Sequence, residues 1–137
     1  MIVADTGAVL ALIDADDGHH ETLAAVFRED PSSWILPWAV LPEVDYLLSA
    51  HLGSRAQDAF FSDLGRGEWV VDWGGEADLR RVNEIATRYR ALRLGLVDAA
   101  VIAAAERLRA TAIATLDLRH FGSIAIRGRP RLIPRDL

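Results

Sequence analysis

Short apolar runs alternate with stretches of helical spacing along this chain, and that alternation leaves few folds open. Met1-Ile2-Val3-Ala4 runs straight into Asp5, and Trp34-Ile35-Leu36 stops at Pro37. Glu68 to Trp73 and Thr111 to Leu116 follow, and Arg131-Leu132-Ile133 closes the series. Continuous apolar runs of this length read as strands buried on both faces, as in a parallel sheet. Ser123 to Ile126 reads as strand or extended loop.

The intervening stretches carry the helical period. Residues 6–13 form a short buried helix whose start Thr6 can cap. Leu23, Val26 and Phe27 mark a helix between His19 and Glu29. Val40, Val44, Leu47 and Leu48 mark a third, whose regular part begins within a few residues of Pro42, since proline fits only the first turn. Ala56, Phe60 and Leu64 mark a fourth, closed by Gly65 to Gly67. A long amphipathic helix turns Leu79, Val82, Ala86 and Tyr89 inward and the arginines at 80, 81, 88, 90 and 93 mostly outward. Residues 97–105 are apolar all round except for Asp98, so that helix lies against the sheet. The pattern predicts one α/β domain over residues 1–137: a three-layer α/β/α fold with a mostly parallel sheet of about five strands.

Open α/β sheets place their chemistry at the carboxyl ends of the strands. Asp5 and Asp117 stand just past two such ends, and Glu43 and Asp98 stand near the N-termini of helices that meet the same edge. Each acid alone has an ordinary explanation: Asp98 as a helix cap, Glu43 as a first-turn acid, Asp117 as a turn residue. Asp5 is harder to explain away, because a carboxylate directly after a buried strand costs energy unless paired or coordinated. Four carboxylates on one rim repel one another and call for a cation. With no cysteine in the chain and no histidine paired to these acids, the donors are all oxygen, which favours Mg²⁺ or Mn²⁺ over zinc. Such a site suits phosphodiester hydrolysis.

Composition removes competitors. All fifteen basic residues are arginine, so receiver, phosphatase and P-loop chemistries that need a lysine are excluded. The net charge of −5 argues against a simple basic nucleic-acid binder. The apolar N-terminus lacks a basic leader region, and no apolar run approaches the ~20 residues of a membrane span, so a cytoplasmic protein with no membrane partner is expected.

Val3-Ala4-Asp5-Thr6, Leu41-Pro42-Glu43-Val44, Leu96-Val97-Asp98-Ala99-Ala100 and Ala114-Thr115-Leu116-Asp117, with Arg119-His120-Phe121 after it, resemble the PIN-domain ribonucleases, specifically the VapC-type toxins of bacterial toxin–antitoxin pairs. The resemblance runs in order through nearly the whole chain. Gly7 stands where that family often has serine. The resemblance implies a metal-dependent endoribonuclease with Asp5, Glu43, Asp98 and Asp117 as metal-binding carboxylates and Mg²⁺ or Mn²⁺ as cofactor, Thr6 and Thr115 supporting them. It also implies a VapB-like antitoxin that blocks the cleft, and a homodimer or dimer-based hetero-oligomer whose contact falls on the helices between residues 18 and 65. Arg119, Arg127 and Arg129, from an arginine-rich C-terminal stretch, are candidates for RNA or partner contact. The alternative function is a catalytically inactive PIN-like module that binds RNA or protein.

Overall fold

A computed structural model describes residues 1–137. Five short strands, β1 (Ile2–Ala4), β2 (Trp34–Pro37), β3 (Val70–Asp72), β4 (Ala112–Ala114) and β5 (Arg131–Ile133), form one sheet in the order β3-β2-β1-β4-β5. Every pairing is parallel, so all five carboxyl ends share one edge.

The helices are α1 (Thr6–Ile13), α2 (His20–Glu29), α3 (Val40–His51), α4 (Ser54–Gly65), α5 (Glu76–Arg88), α6 (Leu96–Arg107) and the single turn α7 (Leu118–Phe121). Short 3-10 turns cover Pro31–Ser33 and Arg90–Leu92. The chain steps from β1 to β2 to β3 in one direction across the sheet and returns from β3 to β4 in the other. Right-handed crossovers therefore put α1 to α4 on one face and α5 and α6 on the opposite face. This is the three-layer arrangement the sequence predicts.

Val3, Ala4, Leu36, Ile113 and Ala114 are wholly buried in the middle layer. α6 lies against it through Ala99, Val101, Ile102 and Ala105, all at most 2% exposed. The alanines let this helix approach the strands closely, and Asp98 in its first turn is carried to the carboxyl edge.

Of the two alternatives for residues 123–126 the chain takes the loop, with Ile124 and Ile126 buried. α3 begins at Val40, two residues ahead of Pro42 as expected, and the proline's missing N–H falls in the first turn, where no helical acceptor exists. Two expectations about α5 need correction. Leu79 is 55% exposed, while Ile85 is the buried residue of α5. Arg81 is not an outward charge: it pairs with Glu106 of α6 through Nε at 2.7 Å and through a second nitrogen at 3.0 Å.

Candidate active site

β1 delivers Asp5 to the carboxyl edge, where it is 6% exposed. Its backbone is extended, so it is the cap of α1, its Oδ1 accepting the Thr6 N–H at 2.8 Å. Thr6 is therefore not the cap but the first helical residue, and its buried hydroxyl has no hydrogen-bond partner. Asp5 Oδ2 accepts the Thr115 hydroxyl at 2.9 Å. The same hydroxyl oxygen accepts the Asp117 N–H at 3.0 Å. Thr115, fully buried beyond the end of β4, thus ties the first acid to the last.

Asp117 caps α7, its Oδ1 accepting the His120 N–H at 3.1 Å. One helical turn brings the His120 ring back over it, with Nδ1 2.7 Å from Asp117 Oδ2 and 3.7 Å from Asp98 Oδ2. His120 Nε2 lies 3.1 Å from the Leu92 carbonyl oxygen. An acceptor on each side is satisfied fully only by the imidazolium, which has two N–H groups. The Asp117 contact accordingly raises the His120 pKa above its ordinary value.

Asp5, Glu43, Asp98 and Asp117 line one cleft of about 370 Å³, together with Thr6, Gly7, Leu10, Leu47 and Leu116. The structure therefore gathers the four acids and Thr6 around one space, with Thr115 behind them. Glu43 is exposed on the first turn of α3, whereas Asp98 and Asp117 are half-buried. Burial pushes the Asp5 carboxyl up to about 6 against the opposing Thr6 and Thr115 hydrogen bonds, and Asp98 and Glu43 add repulsion. Asp98 is also raised, first by burial and then by Asp117, with His120 acting the other way. Acids held this way are short of positive charge. Asp98, Asp117 and His120 offer ligand atoms that all lie within 4.8 Å of one another. A hard divalent cation is the neutralising group that an oxygen-rich donor set suits.

His120 is the residue sequence reasoning missed, and it corrects the expectation that no histidine pairs with the acids. The signal was the three-residue spacing from Asp117, which puts both on one face once a helical turn forms. Arg119, Arg127 and Arg129 are exposed and do not line the acidic cleft. Arg127 and Arg129 instead border a separate groove beside β5 with Arg135. Asp45 lies outside the cleft as well, accepting a hydrogen bond from Gln57 of α4.

Residues 2–126 match the model of the PIN domain. Ribonuclease VapC26 of Mycobacterium tuberculosis is 32% identical over 123 residues, which cover 90% of this chain and 91% of that protein. Among solved structures, VapC20 of Mycobacterium tuberculosis, a toxin that cleaves the sarcin–ricin loop, superposes with a TM-score of 0.73 at 23% identity. That match covers 82% of this chain and 87% of the other. VapBC2 of Rickettsia felis, solved with a fragment of promoter DNA, gives 0.71 at 16% identity over 96% of this chain and 97% of its own.

Proposed function

Since the chain belongs to the PIN-domain family, we propose that it is a VapC-like ribonuclease toxin whose chemistry lies in the cleft of Asp5, Glu43, Asp98 and Asp117. The observation that carries the reading is the meeting of four acids, far apart in sequence, around one small space. These residues would hold Mg²⁺ or Mn²⁺, which when bound supplies charge stabilisation at a phosphate and lowers the pKa of water.

The chain's own groups prepare that site. Thr115 fixes the Asp5 carboxylate and the turn that carries Asp117. His120 orients Asp117 and braces it against the Leu92 carbonyl. Leu10, Leu47 and Leu116 form apolar walls, and the lowered dielectric strengthens every charge interaction between them. In this reading RNA is the substrate, and the chain acts on it as a single domain over residues 1–137. A VapB-like antitoxin is the partner, as the relatives' pairing suggests. Tyr46 on α3 and Phe61 on α4, 71% and 50% exposed, support a dimer contact within residues 18–65. No helix is long and apolar enough to cross a membrane, and we place the protein in the cytoplasm.

The test is incubation of antitoxin-free protein with total cellular RNA, in Mg²⁺ or Mn²⁺ and in EDTA, beside Asp98→Asn. Discrete fragments that require metal and vanish in the variant are the expected result. Equal cleavage by the variant would assign the activity to a contaminant.

A further inference from the structure

The four tryptophans divide by position. Trp34 is buried, and Trp69 packs against Phe27 and Phe60 with ring centroids 5.4 and 6.2 Å apart. Trp38 and Trp73 stand at the carboxyl ends of β2 and β3, where they line a pocket of about 210 Å³ with Leu79, Val82, Ala100 and Ala104. Trp73 is 73% exposed and Leu79 55%, so the pocket opens beneath an uncovered indole.

Its walls are fixed. Arg107 at the end of α6 pairs with Asp78 at 2.9 Å and also with Asp72, locking the ends of β3, α5 and α6 together. Gly74 has φ +69°, and a Cβ there would fall 3.2 Å from Trp38 Nε1 and 3.0 Å from an Asp78 oxygen. The backbone at 74 thus packs directly on the Trp38 indole and holds it in place.

The pocket lies beside the acidic cleft and shares no lining residue with it. The register Val3↔Ile35 sets Pro37 level with Asp5, and Pro37 is paired with Asp72. Adjacent strands lie about 4.8 Å apart, so the pocket wall begins about that far from Asp5. Ala100 and Ala104 follow Asp98 along α6, about 3 and 9 Å further down the axis and on the other side of the helix. A nucleotide reaching from the cleft to the pocket therefore passes over the end of β2 at Pro37.

We propose that this pocket is a base-binding subsite, taking one unpaired nucleobase of single-stranded RNA against Trp73 and Trp38 while the neighbouring phosphate lies over the acidic cleft. It rests on the ribonuclease reading and adds to it the means of holding substrate. A chain with net charge −5 and four acids at its centre gains little from phosphates near that centre. Stacking is an uncharged source of affinity, and single-stranded RNA presents the faces it needs. Arg107 pairs with both Asp72 and Asp78 and offsets one of their two charges, which reduces the repulsion at the pocket wall.

The experiment titrates single-stranded oligoadenylate into the full chain in EDTA, following tryptophan emission, with metal-dependent cleavage of total RNA measured in parallel. Stacking quenches the wild type. Trp73→Ala weakens binding about ten-fold or more, Trp73→Phe retains most of it, and Leu137→Ala, at an exposed apolar residue outside the cleft and the pocket, changes nothing. Three results would overturn the subsite: no binding by the wild type, the same affinity in Trp73→Ala, or an equal loss in Leu137→Ala. A Trp73→Ala protein that keeps its oligoadenylate affinity but loses its antitoxin would assign the pocket to a protein partner instead. Trp73-dependent binding without cleavage keeps the subsite and refutes the nuclease, and cleavage with Trp73-independent binding does the reverse.

Discussion

At Asp5 the cost of the site is concentrated in one side chain. Its carboxyl, ordinarily near 3.8, is raised to about 6, so the folded chain holds that proton more tightly than the unfolded chain does. In the metal-free protein this group adds stability as pH falls below about 6. Above that value it withdraws about 2–3 kcal/mol. Asp5→Asn should therefore raise the urea midpoint at pH 7.5 in EDTA and flatten the pH dependence between about 4 and 6, because the buried charge is gone. The same substitution should abolish any rise of melting temperature with Mn²⁺. Thr115 acts through two acids at once, and Thr115→Val should lower cleavage about 10–100-fold, the usual effect of removing a residue that orients ligands. All four acids stood out in sequence because each sits near a strand end or a helix start, where chain geometry alone fixes its place. His120 did not, since its part depends on a one-turn helix that no apolar periodicity announces.

The elements were legible where burial writes a period into the sequence. The all-apolar run of α6 and the short strands are of that kind, and their bounds fall within two residues of expectation. Burial also misled: Leu79 was read as inward from spacing alone, yet α5 turns its inner face through Ile85 and exposes Leu79 beside the tryptophan pocket. Nor could spacing reveal that Arg81 crosses from α5 to α6. That crossing holds the two helices together at Glu106, whose side chain is 7% exposed. Burial alone would raise the Glu106 carboxyl, but the Arg81 guanidinium and the Arg127 N–H hold it below the usual range. Its contribution has the opposite sign from that of Asp5, present above the unfolded value and lost as pH falls through the folded one. Glu106→Gln should cost about 1–3 kcal/mol in urea unfolding at pH 7, with the deficit shrinking toward acid.

Across the whole molecule the charge is divided. The acids gather at the carboxyl edge near β1, while Arg127, Arg129 and Arg135 border a groove beside β5. If that groove carries RNA, Arg127→Gln should weaken binding for all sequences alike and lower the salt slope by about 1. An unchanged slope would remove these arginines from the RNA path. The sheet order adds a consequence that concerns synthesis. β1 is the middle strand, yet one of its partners, β4, comes more than a hundred residues later, and Thr111 donates its N–H to the carbonyl of Met1. Asp5 therefore waits on the ribosome without Thr115, Asp98 or Asp117, and no acid cleft exists until the chain beyond residue 117 has left the exit tunnel. The translating machine, itself largely RNA, meets no assembled cleft on this chain until that stretch has emerged.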